Sequence, residues 1–220
     1  AFSTDIVNAF IGVNALPSNQ LFAETASGDL ESTSAAVYGD MTYALAEQWD
    51  LTLGLRYTRD NKDYELTSLY NASGFGVLYP NEVSGLKQDD SWSNLSSRFV
   101  LDYAFAEDAM VYFSYATGYK AGGFNSTQPG KPFDEEQVGN LELGLKSTWL
   151  DSRLRFNAAV FSYEYEDLQE YVQVNDPSSG VSRALIRNQD AKGKGVEMDL
   201  TWAASEHLTL SANYSYLDTE

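Results

Sequence analysis

Apolar and polar residues alternate along most of this chain with a period of two, which is the pattern of β-strands with one exposed and one covered face. The clearest run spans residues 109–125. Within it the large residues Val111, Phe113 and Tyr115 alternate with small or polar ones, and the run ends at a Gly-Gly pair. This run predicts a strand with one aromatic side that opens into a long loop.

The same alternation recurs before and after this run. It predicts further strands over residues 34–46, 51–70, 92–105, 141–149, 154–165, 182–203 and 208–216. Residues 6–13 are a further candidate, which makes eight or nine strands in all. The apolar parity shifts between Val160 and Phe161, and we expect a β-bulge there.

The connections between these strands separate two kinds of all-β protein. Short turns fall near residues 47, 107, 151 and 206, and long loops are predicted at 71–90, 122–136 and 176–181, with a further loop at 14–31. Short and long connections therefore alternate, as in antiparallel outer-membrane barrels, whereas Greek-key sandwiches have no reason to alternate so regularly. The pattern favours part of an antiparallel transmembrane β-barrel, and a soluble β-sandwich binding module is the alternative.

Ionised residues on the polar side of these strands support the barrel. A dry core would make them costly, but a wet or plugged lumen would not. We expect the following residues to face the lumen: Arg56, Arg98, Glu142, Lys146 and Glu197.

Composition excludes several other classes. The chain has 220 residues, no cysteine and a formal net charge of −18, so we expect no disulfide framework and no nucleic-acid partner. The longest apolar run is far shorter than the about 20 residues that a transmembrane helix needs. The only histidine of the chain, His207, lies in a predicted turn and has no partner residues in the sequence pattern for metal binding or catalysis. We therefore predict no enzyme activity, no cofactor and no metal site.

Four segments resemble TonB-dependent receptors of Gram-negative outer membranes, both in sequence and in their order along the chain. They are YFSYATGYKAGGFN at 112–125, LTLGLRYTRDNKDY at 51–64, VGNLELGLKSTWLDSRLRFNAAVFSYEYEDLQ at 138–169 and GKGVEMDLTW at 193–202. The resemblance implies that residues 1–220 are one domain, part of a 22-stranded barrel, without the plug domain that the family carries.

The resemblance also implies a function and a set of partners. Such receptors import ferric siderophores, cobalamin, haem or glycans through contact with the TonB complex, so we expect energy-coupled uptake, first of a ferric siderophore. The expected partners are outer-membrane lipid and lipopolysaccharide, a plug domain of the same protein, TonB and a small-molecule chelate. A passive porin-like or adhesive barrel remains the alternative.

The predicted outer mouth carries the candidate ligand-binding residues. Tyr119, Lys120, Phe124 and Asn125 lie where the central strand becomes a long loop. Aromatic and cationic groups there suit an anionic or aromatic metal chelate. The same residues also suit an aromatic girdle and a strand end, and the sequence leaves both interpretations open.

Overall fold

A computed structural model describes residues 2–3, 21–22, 24–70, 83–175 and 182–220. Every regular element in this part of the chain is a β-strand. The strands are β1 (Phe2–Ser3), β2 (Leu21–Phe22), β3 (Glu24–Ala46), β4 (Trp49–Tyr70), β5 (Val83–Ala106), β6 (Ala109–Lys120), β7 (Gly123–Phe124), β8 (Pro132–Phe133), β9 (Glu136–Trp149), β10 (Leu154–Asn175), β11 (Ser182–Ser205) and β12 (Leu208–Thr219). The described residues include no helix that is long and apolar enough to span a membrane.

Eight of these strands form one antiparallel sheet in the order β12-β11-β10-β9-β6-β5-β4-β3. The hairpins β3–β4, β5–β6, β9–β10 and β11–β12 close through the four predicted short turns. The two other ladders, β1–β2 and β7–β8, contain two residues per strand. The antiparallel all-β prediction is confirmed. A sandwich is excluded for the described strands, because no second sheet of comparable size packs against the first.

One face of the sheet exposes large apolar side chains on all eight strands. Val37, Leu143 and Tyr214 leave 70%, 52% and 57% of their surface exposed, and comparable residues lie between them. Soluble monomers rarely expose so wide an apolar surface. At the end of this face nearest the short turns, the rings of Trp49 and Tyr103 stack with centroids 4.4 Å apart. An apolar band edged by aromatic rings is the surface that a barrel turns toward lipid.

Beyond this band, the large apolar side chains of a strand lie on the opposite face. On β4, Trp49 and Tyr57 both belong to the apolar face, and the eight steps between them cover about 26 Å along the strand. That length is comparable with the about 25 Å of a lipid-facing band. Farther along β4, Tyr64 and Leu66 lie on the opposite face and are 8% and 1% exposed. The change of side marks the end of the apolar band on β4.

The predicted bulge at Val160 and Phe161 is wrong. Both residues pair in continuous register with β11, and the register shift lies farther along, between Tyr165 and Leu168. Asp167, within that shift, has a φ of 55°. The parity shift in the sequence has the same cause as on β4: after Val160 the strand leaves the apolar band, and its large side chains turn to the other face.

Two loop predictions are also partly wrong. Residues 24–31 belong to β3 and residues 83–90 to β5, so both strands are longer than the alternation indicated. These extensions carry polar residues on both faces and therefore lack the alternation that predicts a strand, because outside lipid neither face has to be apolar. The candidate strand at 6–13, most of the loop at 14–31 and the loops at 71–82 and 176–181 lie outside the described residues.

Aromatic rings lie flat over glycines on the face opposite the apolar band. Phe161 pairs with Gly195, and Tyr163 pairs with Gly193. A Cβ at position 195 would lie 2.5 Å from Phe161 Cζ and 2.5 Å from the carbonyl oxygen of Tyr216. Only glycine leaves room for both the ring and the neighbouring strand, so this position requires glycine.

We expect Gly195→Ala to destabilise the protein by about 1–3 kcal/mol, because the added methyl group overpacks a site bounded by main chain. The measurement is equilibrium unfolding of the full-length protein in urea. Gly39→Ala is the matched control, since a Cβ at Gly39 meets no atom within 4 Å. Equal stability changes in the two variants would contradict the packing described for Gly195.

Candidate ligand site at the outer mouth

The five residues predicted to face the lumen lie on one face of the sheet, opposite the apolar band. Adjacent strands share this face through the following directly opposed pairs: Tyr38 with Arg56, Gly54 with Arg98, Ser114 with Glu142, Lys146 with Asn157, and Ala159 with Glu197. Whether this face bounds a lumen stays a prediction.

Several charged side chains on this polar face contact other groups of the sheet. Arg98 Nη1 lies 3.7 Å from Asp40 Oδ2, and the Arg56 guanidinium lies 5.5 Å from the centroid of the Tyr38 ring. Tyr112 donates a 2.6 Å hydrogen bond to Glu142 Oε1. Since the Arg98–Asp40 pair is exposed, it adds little stability. Each of these charged side chains thus has a contact partner on another strand of the sheet.

The sheet has a notch at the end away from the short turns. β6 ends at Lys120 and β9 begins at Glu136, whereas their neighbours β5 and β10 continue well beyond those points. Residues 121–135, which we call the strap, connect β6 to β9 in this notch. The long loop predicted at 122–136 is therefore present, and it includes the small β7–β8 ladder.

Hydrogen bonds fasten the strap to β10 and β11. Asn125 Nδ2 donates to the Ile186 carbonyl oxygen at 2.9 Å, and the Ile186 N–H donates to Asn125 Oδ1 at 2.7 Å. The Asn125 amide thus satisfies both main-chain groups of Ile186, as a neighbouring strand would. Asn188 makes the equivalent pair of bonds with the main chain of Asp134, at 2.8 and 3.1 Å.

Further polar contacts complete this attachment. Thr127 Oγ1 donates to the Ala184 carbonyl oxygen at 2.6 Å. Gln169 Nε2 reaches the carbonyl oxygens of both Ala121 and Asp134, at 3.0 and 3.1 Å. Both ends of the strap are therefore held from β10, and β11 holds its middle and also Asp134 near its second end.

Aromatic packing and one lysine hold the strap to β4 and β5. Phe124 stacks on Tyr64 with ring centroids 5.6 Å apart and an interplanar angle of 7°, and it meets Trp92 at 6.3 Å and 60°. Lys62 Nζ donates a 2.6 Å hydrogen bond to the Gly122 carbonyl oxygen and lies 5.5 Å from the centroid of the Trp92 ring. Val83 and Leu86 pack against the buried pair of Tyr64 and Leu66.

The electrostatics of Lys62 follow from this packing. Burial lowers the pKa of its ammonium group below the usual lysine value, nearby Asp60 works in the opposite direction, and Lys120 lowers it further. Gly122 supplies a carbonyl dipole to this ammonium group, but not a full negative charge. In the described part of the chain, Lys62 belongs to no salt bridge.

The four residues predicted to bind ligand have separate environments. Lys120 Nζ lies 3.7 Å from Glu136 Oε2, and Tyr119 pairs with Gln137 on β9. Phe124 fills the space between two rings, and Asn125 is 7% exposed with its amide bonded to the protein itself. Their ligand role stays a prediction, and the structure gives Asn125 a direct part in holding the strap.

Sequence reasoning missed Tyr64 and Trp92, whose rings contact Phe124, and Lys62, which contacts Gly122 and Trp92. A signal was present: on β4 the apolar positions change from odd residues at 51–57 to even residues at 64 and 66. The described residues contain no cluster of three or more His, Asp or Glu side chains suited to a metal ion.

Comparison with known proteins identifies the family. Residues 3–220 match the family model described as TonB dependent receptor-like, beta-barrel. The ferric-pyoverdine BN7/BN8 receptor of Pseudomonas putida is 27% identical over 203 residues, which cover 89% of this chain and 22% of that protein. The pesticin receptor of Yersinia enterocolitica is 27% identical over 183 residues, covering 81% of this chain and 25% of the receptor.

Solved structures show the same fold. The ferric yersiniabactin uptake receptor FyuA from Yersinia pestis superposes with a TM-score of 0.72 at 22% identity, covering 90% of this chain and 28% of that one. The copper transporter OprC superposes with a TM-score of 0.69 at 15% identity, covering 87% of this chain and 30% of the transporter. This chain thus spans about a quarter of the length of its relatives.

These matches agree with the sheet topology and with the apolar band. The chain therefore belongs to the TonB-dependent receptor family, as part of its β-barrel, and is a protein of the Gram-negative outer membrane.

Proposed function

We propose that the protein imports a scarce ligand across the outer membrane by energy-coupled transport, and that the ligand is a ferric siderophore. The observation that carries this proposal is the likeness to receptors named for ferric-pyoverdine and ferric yersiniabactin, in sequence and in fold respectively. The cargo named for relatives varies, since the structural neighbours include a copper transporter. The names of the pyoverdine, yersiniabactin and copper proteins share a metal or its chelate.

The polar face would serve this function as the wall of the lumen. Because the apolar band faces lipid, the opposite face with Arg98, Glu142, Lys146 and Glu197 turns inward, toward water and toward a plug domain of the same protein. Alternating charges such as Glu142 and Lys146 suit a polar plug surface and the passage of a charged chelate. The outer ends of the same strands would meet lipopolysaccharide.

The sheet also favours a larger barrel. β3 and β12 are the two outer strands of the described sheet and do not pair with each other. An unpaired strand edge is not tolerated in hydrocarbon, because its N–H and C=O groups find no partner there. Further strands of the full-length protein would cover both edges and close the barrel.

We expect uptake of radioactive ferric siderophore by cells that carry the full-length gene to disappear when TonB is inactivated. An energy-coupled receptor needs TonB to release its ligand into the periplasm. The control is surface binding of the same siderophore at low temperature, which should be equal in both strains. Uptake at the same rate without TonB would contradict coupled transport and favour a passive pore.

We expect neighbouring positions on β11 to differ in their environment. In Val196→Cys the added thiol would face lipid, and in Glu197→Cys it would face the lumen, because successive residues of a strand point to opposite faces. A nitroxide label should therefore show high accessibility to oxygen, which partitions into lipid, at position 196 and low accessibility at 197.

This chain has no cysteine to interfere with the labelling. The comparison is informative whether water or a plug fills the lumen, since neither concentrates oxygen as lipid does. Reversed or equal accessibilities would contradict the proposed orientation of the sheet.

A further inference from the structure

We propose that Tyr64, Trp92 and Lys62 form a binding slot for a planar, negatively charged aromatic group of the ligand, and that the strap occupies this slot until the ligand displaces it. In this structure the Phe124 ring fills the aromatic part of the slot, and the Gly122 carbonyl oxygen accepts the hydrogen bond of the Lys62 ammonium group. The proposal rests on the proposed function, because it names the ligand group that an import receptor would take at this place.

The ring contacts define the aromatic part of the slot. The Phe124 ring lies nearly parallel to Tyr64, with an interplanar angle of 7°, and tilted by 60° against Trp92. A parallel ring on one side and a tilted ring on the other are the two favoured geometries for aromatic pairs. A ligand ring of similar size would therefore find the same two aromatic partners, Tyr64 and Trp92, in these geometries.

Lys62 defines the charge that the slot prefers. Its ammonium group is bonded to the neutral Gly122 carbonyl oxygen, 2.6 Å away, and lies over the ring of Trp92. In the bond to Gly122 the ammonium charge meets only a carbonyl dipole, whereas an ionised oxygen would add the attraction between two full opposite charges. A ligand ring that carries an ionised oxygen would thus gain a stronger bond to Lys62 than Gly122 provides.

The strap is built so that Phe124 can leave while the rest stays attached. Asn125, the next residue, is held on Ile186 by two hydrogen bonds, and the strap ends are held by Gln169. These bonds do not involve Tyr64, Trp92 or Lys62. The residue before Phe124 is Gly123, whose residue type allows many backbone conformations, so release of the ring requires the two-residue β7–β8 ladder to open. Displacement therefore requires a local change, and the notch stays filled.

This arrangement makes the strap a competitor of the ligand. Removal of the Phe124 ring should free the slot, so an aromatic ligand would no longer have to displace it. The prediction is unusual for a residue at a binding site: loss of Phe124 should raise affinity, whereas loss of Tyr64 or Lys62 should lower it.

The test measures equilibrium binding to the full-length receptor, purified in detergent. The probe is the iron(III) complex of 2,3-dihydroxybenzoate, which is anionic and presents planar aromatic rings at its surface. Iron(III) acetohydroxamate, which has no aromatic ring, is the control probe. We expect Phe124→Ala to bind the aromatic probe about 2–10-fold more tightly, the range that corresponds to the strength of one aromatic pair. Its affinity for acetohydroxamate should not change.

Phe133→Ala is the matched control variant, because Phe133 is the other phenylalanine of the strap and packs on Gly123 instead of the slot. It should leave both affinities unchanged. Tyr64→Ala, introduced into Phe124→Ala, should remove the gain in affinity. Phe124→Leu keeps an apolar side chain without a ring and replaces Phe124→Ala if the latter does not fold, as judged by heat-dependent mobility in gels.

An unchanged or weaker affinity of Phe124→Ala for the aromatic probe would overturn the proposal. An equal gain for both probes would also overturn it, because the strap would then only restrict access to the lumen. Binding in detergent needs no TonB. A failure of the slot is therefore distinguishable from a failure of coupled uptake, which the assay in cells reports separately.

Discussion

The pairing of every main-chain group inside the lipid is the constraint on which the rest of this structure depends. Hydrocarbon offers no hydrogen bonds, so N–H and C=O groups must find their partners on adjacent strands. This requirement accounts for the long continuous ladders and for the tight turns between hairpin partners. It also fixes the side-chain pattern, since a fully paired strand has one face for lipid and one for the interior.

Beyond the lipid the constraint relaxes, and the structure uses side chains where strands are missing. In the notch above β6 and β9, the amides of Asn125 and Asn188 bond to main-chain groups much as a neighbouring strand would. Apolar packing moves at the same level to the face opposite the apolar band, where Tyr64, Leu66 and Phe124 meet. The strap is thus a consequence of the notch, and its aromatic contact places Phe124 where a ligand ring would fit.

Much of the fold was predictable from local pattern. The four short turns and the cores of eight strands were identified, because alternation with a period of two is strong wherever one face meets lipid. Alternation is a weaker guide where the apolar band ends. Residues 83–90 and 24–31 carry polar groups on both faces, so the pattern predicts loops there, and the change of side after Val160 imitates the parity shift of a bulge.

The sequence by itself determined the class of the protein, the polarity of its two faces and the resemblance to TonB-dependent receptors, because these depend on neighbours along one strand. Only the tertiary structure decided that Lys62, Tyr64, Trp92 and Phe124 meet, since they come from three separate segments of the chain. No local periodicity encodes such a meeting. It results from the length differences between neighbouring strands, which leave a notch that the strap must fill.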